Sequence, residues 1–286
     1  MRKLNGSDFM IRSALWKNIL REIKDSITRY LSIVAMVMIG VFVLVGLMTV
    51  SPMMHNTAVT QVREENMADL TVESTFGLDE DDQRLLDRQT DVKDLQYGYR
   101  KDLKTSRDHL VRVISYPEDV SVPVVLEGHE PRAPGEILLD IDMKDKGYDI
   151  GDRVRFRKET DKFKMDEDMD DLDRYQYHIV GFCESLEFME RGQKGTSLVG
   201  PGQLDGFGYV CKSDFNLDDY SFAQMTLKED VKKAPYGDVY HEALYEFRNG
   251  LKEDFKPLRD QRYDDIREEI IDAINEGEME IDDAYR

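Results

Sequence analysis

The sequence predicts an α+β protein: an N-terminal amphipathic and transmembrane helix, then a mixed α+β extracellular domain, then the start of a helical coiled-coil stalk. Three observations carry that expectation. Residues 31–50 are uncharged throughout. Stretches with strand-like alternation fill much of residues 68–228, the period-two pattern of half-buried strands. From Gly237 onward apolar residues return every three or four positions. Strands gathered ahead of a helical end-piece read as α+β rather than as a doubly wound sheet.

Residues 1–30 hold seven basic against three acidic side chains. Leu15, Trp16, Ile19, Leu20, Ile23, Ile27 and Leu31 recur at helical spacing, with Lys17, Arg21, Lys24, Asp25 and Thr28 between them. That is a basic amphipathic helix suited to lie along the inner leaflet, with Trp16 and Tyr30 at headgroup level. The run Leu31–Val50 then gives about 30 Å of helix, the thickness of a bilayer's hydrocarbon core. Basic flanks stay in the cytoplasm, so the arm is expected inside and the acidic remainder outside. A cleaved signal peptide fits worse. The basic region is too long, the apolar core exceeds the usual ~7–15 residues, and no small-residue cleavage pattern follows Gly46.

The outer domain is expected over residues 55–236, with a β-rich subdomain at about 130–215. Strands are read at Ala68–Glu73, Leu95–Lys101, His109–Tyr116, Val122–Glu127, Glu136–Asp140, Arg153–Arg157, Tyr175–Phe182, Gly208–Lys212 and Phe222–Lys228. Asp79–Gln89 reads as a short acidic helix with Leu85 and Leu86 inward, and Ile141–Lys146 as another that ends at Gly147. Residues 237–286 are expected to form a helical stalk whose narrow apolar seam (Val239, Leu244, Phe247, Leu251, Phe255, Leu258, Ile266, Ile270, Ile274) waits for a partner strand. Pro257 is expected to kink it. The whole chain has 41% hydrophobic residues and a net charge of −20, with −24 on residues 31–286; the outer domain can build a core, and its field argues against nucleic acid or an anionic lipid surface as main partner.

Motifs for chemistry are missing from the sequence. No GxxxxGK[ST] is present, so no P-loop holds ATP. The cluster Gly200-Pro-Gly-Gln-Leu-Asp-Gly206 misses GxGxxG, and the stretch around Ser197 misses the nucleophile-elbow spacing. Asp166, Asp168 and Asp170 alternate as in a calcium loop, but Asp171 stands where glycine is needed and Tyr177 where glutamate is needed. His55, His109, His129, His178 and His241 are scattered without metal-site spacing. Cys183 and Cys211 could join in an oxidising exterior or stay as buried thiols. The expectation is therefore a protein that is not an enzyme, with no catalytic, cofactor-binding or metal residues and no cofactor.

The order of features resembles the N-terminal part of the FtsX/MacB-like permeases of ABC transporters. The resemblance lies in the amphipathic lead Leu15–Arg29, in Ala68-Asp-Leu-Thr-Val72, and in Leu126-Glu-Gly-His-Glu-Pro-Arg-Ala-Pro-Gly-Glu-Ile-Leu-Leu-Asp140. It continues through Gly147-Tyr-Asp-Ile-Gly-Asp-Arg-Val154, Tyr177-His-Ile-Val-Gly181 and Asp205-Gly-Phe-Gly-Tyr-Val210. It implies a MacB-type periplasmic-core fold outside the membrane, coupled mechanically to a cytoplasmic ABC ATPase subunit, beside the lipid bilayer and a second permease copy or half. It also implies three or more further spanning helices, so the chain is expected to be an N-terminal fragment or a truncated product. The alternative expectation is a single-pass membrane-anchored extracellular binding or sensor protein that needs no ATPase.

Overall fold

The computed structural model describes residues 26–158, 171–189, 194–197, 202–232 and 237–284, with Trp16, Lys17, Ile19, Arg21, Glu22 and Lys24. Within helices, the side chains of Ser51, His55, Glu269, Asp272, Ala273 and 276–284 are outside the description. The chain divides into two units, residues 1–58 and 59–286.

The first unit is dominated by helix α1, Ile27–Glu64, 38 residues long, of which residues 59–64 belong to the second unit. Its apolar window has a mean hydropathy of 2.8, and none of that window is buried against protein. Phe42, Leu47 and Met36 stand 70–79% exposed, an arrangement that water disfavours and hydrocarbon does not. The two hydroxyls within the predicted span return to the helix: Ser32 Oγ donates to the Arg29 carbonyl at 2.8 Å and Thr49 Oγ1 to the Val45 carbonyl at 2.9 Å. The helix continues through Pro52 to Glu64, fourteen residues beyond the predicted span. At ~1.5 Å per residue α1 is about 57 Å long. The amphipathic arm at 1–30 lies mostly outside the described residues.

The second unit is α+β. Its strands are β1 (Leu70–Leu78), β2 (Val92–Gly98), β3 (Arg100–Lys104), β4 (Leu110–Ser115), β5 (Val124–Gly128), β6 (Glu136–Asp140), β7 (Arg153–Arg155), β8 (Gln176–Glu184), β9 (Gly206–Val210) and β10 (Tyr220–Leu227). Its helices are α2 (Glu80–Asp87), the single turn α3 (Glu229–Lys232) and α4 (Asp238–Ala284). A three-stranded antiparallel sheet has the order β1-β10-β2. A seven-stranded mixed sheet runs β3-β4-β9-β6-β8-β5, with β7 also on β8; the pairs β4–β9 and β6–β8 are parallel and the others antiparallel.

Alternation assigns the faces of the larger sheet. Val111, Val113, Ile137, Leu139 and Val210 pack in one cluster with Met143, Tyr177 and Phe182. Their neighbours Ile114, Leu138, Phe207 and Tyr209 pack on the opposite face with Phe188 and Cys183, as the two-residue period requires. Gly208 gives these side chains room on the first face, because a Cβ there would stand 2.9 Å from both Ile137 Cδ1 and Leu139 Cδ2 and would make them shift.

The stretch from Leu126 to Val154 folds as its residue types dictate. Glu136 holds the Pro131–Gly135 turn, its carboxylate accepting from the Arg132 and Ala133 amides at 2.7 and 3.2 Å. After β6 comes a 3₁₀ helix, Ile141–Lys146, capped by the Asp140 carboxylate and stopped by Gly147 at φ +83°, a left-handed residue that favours glycine. Where the sequence suggested one strand at Leu95–Lys101, the chain makes two, with Gly98 and Tyr99 carrying it from the small sheet to the large one.

Helix α4 departs from the expectation of a free arm. Leu251 is only 5% exposed. It packs with Phe247 and Phe255 against Leu78, Leu86, Ala223 and Met225 of the small sheet and α2. The first half of the apolar seam is thus covered by the domain's own sheet. The helix also runs unbroken through Pro257.

Candidate functional site

Two features of the second unit bring together groups that the sequence keeps apart. The first lies where the chain leaves α1. Asn66 sits at φ +44° and donates through Nδ2 to the Asp119 carbonyl at 2.8 Å and to Asp94 at 3.1 Å. Its own carbonyl accepts from the Ser121 amide at 3.0 Å, and Ser121 Oγ accepts from the Ala68 amide at 3.1 Å. Three residues on, the Asp69 carboxylate accepts from Tyr240 Oη at 2.6 Å and the Leu227 amide at 2.8 Å, and pairs with Lys232 at 2.6 Å. Residues 66–69 are thereby tied to the 119–121 loop, to β10, to α3 and to the start of α4. Such charge-assisted bonds at a nearly enclosed carboxylate, 3% exposed, are of the stronger kind.

The second feature is a groove of about 1220 Å³ between β1 and α4. One wall is β1, which contributes consecutive residues from Leu70 to Ser74 and then Phe76 and Leu78. Among the described strands β1 pairs only with β10, so it is an edge strand, and lining by consecutive residues means that the groove follows this edge. The floor is apolar: Leu251, Phe255, Leu258 and Ile266 from α4 meet Leu70 and Val72. Arg262 closes one end, donating to the Gly77 carbonyl at 3.0 Å, to Asp82 at 2.9 Å and to the Phe76 carbonyl at 3.4 Å. Burial and the neighbouring Asp79 hold the Asp82 carboxyl above its usual range in spite of that arginine.

The outer flank of the groove on α4 reads Arg248, Lys252, Lys256, Arg259, Tyr263, Arg267, spaced by three or four positions so that all six fall on one stripe of the helix. Against it the lining holds three carboxylates: Glu73, which pairs with Arg100, Asp82, which pairs with Arg262, and Glu253. A basic stripe on a chain of net charge −20 is a local reversal of the overall field. The stripe is legible in the sequence as basic residues at helical spacing, but its apolar wall comes from residues about 180 positions earlier.

The residues singled out in the sequence are not brought together. Asp166, Asp168 and Asp170 lie outside the described residues. Asp171 pairs with Lys101 at 2.7 Å, and the Asp173 amide donates to the Asp214 carbonyl. His109 contacts Tyr148 Oη at 3.3 Å, His129 contacts the Glu130 carbonyl, and His241 rests on the Tyr240 ring. Among the described residues no group of three His, Cys, Asp or Glu side chains could hold a metal. Cys183 and Cys211 are not joined, and burial raises both thiols. Thr196 and Gln203 form an antiparallel bridge, and the Ser197 amide donates to the Gly202 carbonyl at 3.0 Å.

No family model matches the chain, and no curated protein matches it. Among solved structures it is similar to the extracellular domain of the noncanonic ABC-type transporter YknZ from Gram-positive bacteria. The identity is 13%, the TM-score is 0.36, and the match covers 57% of this chain and 87% of that one.

Proposed function

We propose that this chain is the membrane-anchored N-terminal part of an ABC-type permease of the FtsX/MacB kind. Its α+β domain stands outside the cell membrane and works without catalysis. The observation that carries the anchoring is α1: 38 helical residues whose apolar window is wholly uncovered by protein, leading directly into a folded domain; the permease kind rests on the order of motifs along residues 15–210. The basic arm favours an N-terminus on the cytoplasmic side. In this reading a cytoplasmic ATPase closes, the spanning helices shift, and the exit at residues 66–69 passes the displacement to β10 and α4 through Asp69 and to β2 and the 119–121 loop through Asn66. A second permease copy or half completes the assembly.

The test is mild-detergent purification of the tagged full chain from its own membranes. Recovery of an ABC ATPase in fixed proportion supports the reading. A chain that leaves the membrane in alkaline carbonate without detergent refutes its anchoring, and one that purifies alone under crosslinking refutes the ATPase. A second reading, a single-pass binding protein, is favoured by the groove, which offers a ligand-sized space without needing an ATPase; it keeps the anchor and loses only the partner.

A further inference from the structure

We propose that the groove between β1 and α4 is a docking site for an extended acidic peptide segment, which adds as a strand to the free edge of β1. The inference does not depend on an ATPase and holds under either reading above.

Three observations carry it. First, the edge is open: β1 has nine residues, and its side away from β10 pairs with no described strand. An open edge is a row of unpaired amides and carbonyls, a template for another strand. Donors from the helix side already serve its far end, where Arg262 reaches the carbonyls of Phe76 and Gly77. Second, the helix wall is spaced from the strand by an apolar floor, the arrangement in which domains that capture peptides by strand addition combine main-chain pairing with pockets for alternate side chains. The open stretch from Leu70 to Ser74 runs about 17 Å at ~3.4 Å per residue and so pairs with about five residues of an extended segment. Phe76 and Tyr263, 65% and 68% exposed, stand at its rim as aromatic anchors of the sort that dominate binding surfaces.

Third, the charge specifies the occupant. Arg248, Lys252, Lys256, Arg259 and Arg267 line the outer flank, and Lys252, Lys256 and Arg267 make no ion pair among the described residues. A peptide with glutamates or aspartates on the side turned to α4 and apolar residues on the other matches both walls. An anionic lipid would satisfy the basic stripe, but its acyl chains would lie against the main-chain groups of β1 without pairing them, which costs free energy that a peptide backbone recovers. The same physics disfavours a basic peptide, which would face the stripe with like charge.

The experiment uses the full chain in nanodiscs of zwitterionic lipid. The probe is a fluorescein-labelled nine-residue peptide of alternating valine and glutamate, read by anisotropy. Three other probes accompany it: the same peptide with alternate amides N-methylated, a valine–lysine counterpart, and a fluorescent short-chain phosphatidylglycerol. Saturable binding of the first peptide is expected, weakened at least about tenfold by N-methylation and by the double substitution Lys252→Glu with Lys256→Glu. Both of those side chains are exposed, so the melting temperature should stay put. The valine–lysine peptide is expected to bind the double variant better than the parent. Equal binding of the N-methylated peptide would overturn strand addition, and equal binding of the valine–lysine peptide would overturn the charge match. Phosphatidylglycerol binding the groove while the acidic peptide does not would assign it to lipid instead.

Discussion

Arg262→Met tests whether α4 is part of the folded domain or an arm that merely starts beside it. The guanidinium joins the helix to Asp82 at 2.9 Å, to Asp79 at 3.5 Å and to Asp219 at 3.6 Å, as well as to two carbonyls. Asp82 is 10% exposed and Arg262 26%. Breaking a fully buried pair by removing one partner costs about 3–5 kcal/mol. Partial exposure of the arginine screens the pair, and the already raised Asp82 can neutralise itself by taking a proton, so a loss of about 2–3 kcal/mol is expected. Adding Asp82→Asn removes the stranded charge and should recover about 1 kcal/mol or more, a coupling that a double-mutant cycle isolates. The assay is chemical denaturation of the detergent-solubilised full chain, joined to hydrogen exchange. Amides of α4 between Leu258 and Ile270 should lose protection before those of β6 do. A loss under ~0.5 kcal/mol, or protection that falls evenly over the chain, would refute the docked helix.

The buried pair of Lys194 and Asp140, 7% and 1% exposed and 3.2 Å apart, gives a second test by chemical denaturation. Lys194→Met should cost about 3 kcal/mol, and adding Asp140→Asn should return part of it, since Asp142, 2.8 Å from Lys194, loses its partner as well. Gly208→Ala pushes a methyl group to within 2.9 Å of Ile137 and Leu139, so its denaturation midpoint should fall by an amount equivalent to about 1–3 kcal/mol. Burial raises the carboxyls of Asp140, Asp214 and Glu187. A carboxyl raised in the folded state adds stability that is complete below its unfolded pKa and is lost as pH rises through the folded one. Asp94, bonded to Lys93, and Glu136, bonded to the Arg132 amide, are lowered and lose their contribution only as pH falls below the usual carboxylate range. Thermal scans should therefore show the highest Tm in mild acid, with a decline towards pH 7; a Tm that climbs steadily to pH 8 contradicts this.

The elements set by local chemistry were legible in the sequence. Glu136–Asp140 and Ile141–Lys146 fold where proline, glycine and alternating leucines place them, because those signals act within a few residues. The apolar run was legible for the same reason, though not its end: hydropathy marks where lipid suits a helix, not where the helix stops, and α1 winds on to Glu64. The stalk was misread in part because periodicity announces an apolar seam without naming what covers it. Leu251 and Phe255 find β1 and β10, strands that no helical pattern can point to. The groove was hidden likewise, since Val72 and Lys256 come to line one groove only through the fold. The breaks at Gly98 and Tyr99 were invisible because one alternation runs across both sheets.

The most direct measurement of the central claim, an apolar helix through the membrane with the α+β domain outside, is labelling of intact cells by a membrane-impermeant maleimide. In a Cys211→Ser background, where Cys183 is buried, Glu253→Cys should react without permeabilisation and Lys17→Cys only after it. The reverse pattern would invert the topology. Equal labelling of both in a soluble fraction would remove the membrane from the account altogether.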